Sequence, residues 1–149
     1  MGQGDSIFIE QDGHTQVLID GGPNSSLLPK LGQAMPFWDR TIEVVVLTHP
    51  EKDHITGLIE VLKRYRVGLI LWTGVYHTTA EFEEWTRILE EKKVKTTLGR
   101  SGDRLVSLNG FSFDILSPAE ELGGKTVKNL NETSIVGRLQ YGENSILLT

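Results

Sequence analysis

A chain of 149 residues with 38% hydrophobic side chains suffices for one packed core and leaves little room for two domains. Its net charge of −5 argues against a tight nucleic-acid binder, which shows a basic footprint. The absence of cysteine excludes disulfides, thiolate metal sites and cysteine nucleophiles.

The opening Met1-Gly2-Gln3-Gly4-Asp5 has neither the basic segment nor the apolar stretch of a secretion signal. Residues 6–10 and 16–20 read as strands, with Asp12-Gly13 favouring a hairpin turn between them. His14 falls in that turn and reads as solvated. Asp20-Gly21-Gly22-Pro23-Asn24 is a second break, and 25–34 reads as a short helix ending before Pro36. Residues 41–48, centred on Val44-Val45-Val46-Leu47, form the near-continuous apolar run of a strand buried on both faces. Leu58, Ile59, Val61, Leu62 and Tyr65 recur at helical spacing across 55–65, and 67–72 reads as another buried strand. Thr78-Thr79-Ala80-Glu81 has the capping-box pattern; Phe82, Trp85, Ile88 and Leu89 then line one face of a helix to about Lys92. Residues 94–98, 104–108, 111–116, 134–140 and 145–148 read as strands. Hairpin signals stand at Asn109-Gly110 and Gly142-Glu143-Asn144, and 119–131 reads as a loop. No apolar run approaches the roughly 20 residues that span a bilayer, so a soluble chain with no membrane segment is expected. A hairpin, two β–α units and further strands predict a mixed sheet with helices on one side, of α+β or α/β type.

The chemistry concentrates in His49-Pro50-Glu51-Lys52-Asp53-His54, which follows a buried strand directly and opens a helix. A loop at such a junction can turn several side chains to one point, and imidazole nitrogen with carboxylate oxygen suits zinc, manganese or iron. The competing reading is a charged turn with Asp53 as the helix N-cap. Two histidines bracketing two acids favour the metal reading.

The segment resembles the H-x-H-x-D-H loop of the metallo-β-lactamase superfamily. Gly2-Gln3-Gly4-Asp5-Ser6, Leu18-Ile19-Asp20-Gly21-Gly22 and the stretch from Leu47-Thr48-His49 to Asp53-His54-Ile55-Thr56-Gly57 occur in that family's order and spacing. The Gly-Gln-Gly-Asp-Ser opening and Asn131-Glu132-Thr133-Ser134-Ile135-Val136 are also similar to the C-terminal hydrolase domain of ComEC-type DNA-uptake competence proteins and its stand-alone relatives. The resemblance implies a four-layer αββα sandwich. This chain reads as its N-terminal half, because the Gly-Asp pair expected beyond Leu147-Leu148-Thr149 is not reached. It implies His49 as ligand of one metal, Asp53 and His54 as ligands of a second, and Asp20 as the residue that holds the loop by hydrogen bonds. Asp5 and Ser6 are expected to shape the turn before the first strand. Asp53 is the catalytic candidate, orienting the nucleophile or ligating the second ion. Glu51 stands where the superfamily commonly has a histidine; as a harder ligand it would shift preference from zinc toward manganese or magnesium, or stay uncoordinated.

His77, Asn131 and Ser134 are candidate substrate-side residues, with loop closure as the alternative for Asn131 and Ser134. Lys63, Arg64, Arg66, Lys92, Lys93 and Lys95 read as solvated helix ends rather than a basic rim. The implied activity is metal-dependent hydrolysis with one or two divalent ions, zinc or manganese. The implied substrate is a phosphodiester of single- or double-stranded DNA; the alternatives are a small ester, thioester or lactam, or a half-domain that catalyses nothing. A homo-oligomer through an exposed sheet is expected, as is weak metal binding by this chain alone.

Overall fold

In this computed structural model, residues 4–149 are described except 12, 14 and 109. Gly2, Gln3, Asp12, His14 and Asn109, named above, therefore lie outside the described residues. The strands that read as unbroken apolar runs form the middle of a five-stranded sheet. Its order is β1 (Ile7–Gln11), β2 (Thr15–Ile19), β3 (Thr41–Val46), β4 (Arg66–Trp72) and β5 (Thr96–Leu98). β1 runs antiparallel to β2, and every later neighbour is parallel. Parallel neighbours need crossovers, which are α1 (Leu27–Ala34), α2 (Lys52–Arg64) and α3 (Ala80–Lys92). The helices pack on one face through Leu31, Ile55, Leu58, Leu62 and Trp85 against Leu18, Val45 and Ile70.

The second half forms its own sheet, as the αββα resemblance implies, and does not join the single mixed sheet that the strand pattern alone predicts. β6 (Arg104–Val106), β7 (Phe111–Ser117), β8 (Val136–Tyr141) and β9 (Asn144–Leu148) form a separate antiparallel sheet. It lies on the other face of the first sheet, where Phe113, Ile115 and Leu139 meet Val17, Ile19, Val46 and Leu71. Gly99 lies between the two sheets: a Cβ there would stand 2.9 Å from the tips of both Ile115 and Leu71. The result is one helix layer and two sheet layers, an α+β architecture. The outward face of the second sheet is not simply apolar. Arg104, Asp114 and Arg138 stand opposite one another across three strands as a salt-bridged ladder, beside exposed Val106, Leu116 and Leu147.

Several element ends differ from the sequence reading, those of α2, α3 and β8 among them. α2 begins at Lys52, with Glu51 at the N-cap position, so Asp53 and His54 sit in its first helical turn and Asp53 is not the cap. The shift is invisible to apolar periodicity because the first turn is polar. α3 is capped by Thr79, whose hydroxyl accepts from the Phe82 amide at 3.3 Å, one residue later than the capping-box pattern implies. Ser134 precedes β8 and follows a 3-10 turn at Asn131–Thr133. Among the described residues, no helix is long and apolar enough to cross a membrane.

Candidate metal centre

The site lies where β2 and β3 end, and backbone contact sets its dimensions. Gly21 and Gly57 face each other so closely that a Cβ on Gly57 would lie 1.8 Å from the Gly21 carbonyl oxygen. The Gly21 amide donates to the His54 carbonyl at 2.8 Å, and the Gly57 amide to Gly22 at 3.1 Å. These contacts clamp the turn after β2 onto the first turn of α2. Gly4 abuts the Asp53 backbone in the same way, 2.0 Å for a Cβ placed there. The Ser6 hydroxyl donates to the Asp20 carbonyl at 2.8 Å, in keeping with a shaping role for the opening segment.

Asp20 is the hub. It has φ +55°, a left-handed conformation that aspartate tolerates better than most residues and that often marks a functional turn. Its carboxylate, nearly buried, accepts from the Thr48 amide at 2.9 Å, the Thr48 hydroxyl at 2.7 Å and His54 Nδ1 at 2.8 Å. One side chain thus ties the strand end and the helix start together.

His49 is 5% exposed. Its Nδ1 lies 3.0 Å from Thr48 Oγ1 and 3.1 Å from Ser134 Oγ. Its Nε2 is buried with no hydrogen-bond partner, and the nearest Glu51 oxygen is 3.6 Å away. A buried polar atom of this kind calls for an explanation, and an imidazole nitrogen beside carboxylates fits a metal. The His49 and His54 rings are 4.0 Å apart between centroids, and Asp53 Oδ1 is 3.8 Å from His54 Nε2. The four candidate ligands therefore share one patch in pairs. Among the described residues, no group of three or more His, Asp or Glu side chains is already spaced to hold an ion. A metal would have to draw the pairs together by side-chain rotation.

The two histidines are polarised in opposite directions. Burial and then the neighbouring His54 push His49 below its ordinary value, against Asp20, Glu51 and Asp53. For His54, burial pulls downward, but the Asp20 hydrogen bond and the charges of Asp20, Asp53 and Glu51 outweigh it, and the net shift is upward.

A cleft of about 280 Å³ opens beside Glu51 and is lined by Tyr76, His77, Thr78, Lys128 and Asn129. His77 is therefore next to the loop. Asn131 is exposed at the start of the 3-10 turn and is not among the cleft's lining residues; Ser134 stands behind His49, on Nδ1. A second cavity of about 310 Å³ touches Asp20, Thr48 and His54 and is bordered by Gly4, Leu148 and Thr149. Sequence reasoning gave Thr48, Lys128 and Tyr76 no role. Thr48 was detectable as the residue joining a buried strand to His49; the other two carry no pattern.

All 149 residues, 1–149, match the family model described as the metallo-beta-lactamase superfamily. The chain belongs to the metallo-β-lactamase superfamily. No curated protein matches its sequence. Similar solved structures include zinc-bound PqqB from Methylobacterium extorquens (17% identity, TM-score 0.60, 96% of this chain and 51% of that one). The metallo-β-lactamase fold protein YhfI from Bacillus subtilis gives 20% identity and TM-score 0.60 over 92% of this chain and 51% of that one. CmlA, a diiron β-hydroxylase from Streptomyces venezuelae, gives 19% and 0.58 over 95% of this chain and 27% of that one. At these identities the likeness concerns the superfamily fold. The chain spans about half the length of the first two.

Proposed function

We propose that this superfamily domain is a metal-dependent hydrolase whose metal loop runs from His49 to His54, and that its substrates are phosphodiesters, DNA among them. The observation that carries the reading is the buried, unpartnered Nε2 of His49 beside His54, whose Nδ1 is likewise tied back, to Asp20. His49 and His54 would hold the ion through Nε2, with Asp53 and Glu51 as oxygen donors. Bound there, a divalent ion acts as a Lewis acid and makes water nucleophilic near neutral pH. Asp20 keeps both ends of the loop in place. Asp53, in the first turn of α2, offers a carboxylate to orient the nucleophile. The cleft beside Glu51 offers Lys128 and His77 to an anionic phosphate and Tyr76 to a base. The resemblance of Asn131-Glu132-Thr133-Ser134 and the opening segment to ComEC-type domains supports DNA over a lactam. Glu51 favours manganese as much as zinc.

One observation favours a second reading, a domain that binds metal weakly and turns over little by itself: the ligands meet only in pairs. Turnover tests the two. The chelator-stripped chain, given manganese or zinc, is assayed on a chromogenic phosphodiester and a chromogenic carboxylic ester. Phosphodiester turnover that His49→Ala abolishes supports the proposal. Turnover of the ester alone overturns the substrate class, and no metal-dependent turnover of either supports the second reading.

A further inference from the structure

We infer that Ser134, which belongs to the second sheet's leading turn, is a positioning residue for His49. With Thr48 it holds the imidazole in the tautomer that leaves the Nε2 lone pair free. The inference rests on reading His49 as a metal ligand through Nε2.

Counting protons fixes the tautomer. The Thr48 hydroxyl has one, and it is donated to Asp20 at 2.7 Å. Toward His49 Nδ1, 3.0 Å away, Thr48 therefore presents only lone pairs. The contact is attractive only if Nδ1 carries the proton. Ser134 Oγ, 3.1 Å from the same nitrogen, is the second acceptor for that proton. The reverse arrangement, Ser134 donating to Nδ1, would set two lone pairs 3.0 Å apart. It would also bury an Nε2–H whose nearest acceptor, Glu51 at 3.6 Å, is beyond hydrogen-bond range. Nδ1–H, shared between two hydroxyl oxygens, is the arrangement in which both contacts at Nδ1 are attractive, and it points a bare Nε2 at the loop. A ligating histidine is usually oriented by what its other nitrogen meets.

Ser134 is itself held on both sides. Its amide donates to Asn131 in the 3-10 turn at 3.3 Å, and the next amide, Ile135, donates to the Thr48 carbonyl at 3.0 Å. Ile135 is 2% exposed and sits in the core between the sheets. The second sheet is thereby latched to the metal loop across 85 residues of sequence. This places Ser134 behind the ring and away from the substrate side.

The test uses the full chain, metal-free and labelled with nitrogen-15 at histidine, at a pH well above the ordinary histidine value of 6.5. Long-range proton–nitrogen spectra assign the His49 tautomer, and zinc titration of the same samples gives affinity. Wild type should show Nδ1–H at His49. Ser134→Ala should show a substantial Nε2–H population and bind zinc on the order of 10-fold more weakly, and Ser134→Thr should restore both. A wild-type tautomer and affinity in Ser134→Ala would overturn the inference. If Ser134→Ala fails to fold, Ser134→Cys decides: its weaker acceptor should give a mixed tautomer, and a pure Nδ1–H form would overturn the inference. A pure Nδ1–H form in wild type that binds neither zinc nor manganese would sink the metal reading while leaving Ser134 as the residue that sets the ring.

Discussion

The two sheets are built from different kinds of sequence and relate differently to the site. In the first, all five residues of β2 are buried, and β3 and β4 are covered by helices on one side and by the second sheet on the other. Such strands read as unbroken apolar runs. In the second, inward Phe113 and Leu139 alternate with outward Asp114 and Arg138, and neighbouring strands carry charges in register. The first sheet ends in Asp20 and His49; the second meets the site through Ser134 and Ile135, just before β8, and through Leu148 and Thr149 at the end of β9. The difference teaches that the loop's position is set by backbone clamps at one sheet's end, with the second sheet serving as a backstop.

The most damaging change should be Gly57→Ala, because its Cβ meets the Gly21 carbonyl, which cannot rotate away. We expect about 3 kcal/mol of lost stability, the upper end of overpacking costs, with the His54–Asp20 hydrogen bond lost in histidine spectra. Phe113→Ala, in the core between the sheets, should cost a similar 3–5 kcal/mol or so yet leave that bond intact. Denaturant melts with histidine spectra separate the two, and equal damage to the site would erase the distinction between the sheets.

Asp20→Ala comes next. It strips the Thr48 amide, the Thr48 hydroxyl and His54 of one shared acceptor. A loss of about 2–3 kcal/mol is expected, and metal affinity should fall on the order of 10- to 100-fold. Retained affinity would mean that the loop holds its shape without the hub.

The opposed histidine shifts make a smaller, signed prediction for metal-free protein. The contribution of protonated His54, whose folded value is raised, is fully present below 6.5 and is lost as pH rises through the folded value. His49, whose folded value is lowered, contributes stability that is present above 6.5 and lost as pH falls through its folded value. Stability from these two groups should therefore peak near 6.5. Saturating zinc should reverse the alkaline side, since both rings must be deprotonated to ligate. Thermal melts across pH, with and without zinc, check both statements.

Least affected should be Arg104→Ala, which removes one of two largely exposed guanidiniums from the Asp114 carboxylate. Arg138 still holds that carboxylate at 3.1 Å, and surface pairs contribute little. A small shift on the acid side of the melt, where the Asp114 carboxylate held low by Arg104 and Arg138 becomes protonated, is the expected readout.

The legible parts of the molecule were those with local causes. Val44 to Leu47 announced a doubly buried strand, and His49, Glu51, Asp53 and His54 announced a cluster because they crowd one junction. Asp20-Gly21-Gly22 was recognisable as a turn, though the need for glycine opposite Gly57 is a property of two segments meeting. The start of α2 was missed because its first turn carries no apolar residue, and the second sheet was folded into the first because alternation does not say which sheet a strand joins. Ser134 was legible as a residue near the site, on the substrate side or closing a loop, but its contact with His49 was not, since a partner 85 residues away leaves no spacing to read. The cleft wall around Lys128 arises from an unpatterned loop and had no signal at all.

The central claim is that His49 to His54 is a metal loop. Calorimetric titration of zinc and manganese into the chelator-stripped chain, beside His49→Ala and His54→Ala, tests it most directly. Saturable binding to the wild-type chain that weakens as pH falls, and its loss in both variants, is the expected result. Binding that is absent from the wild-type chain, or that survives both substitutions unchanged, would contradict it.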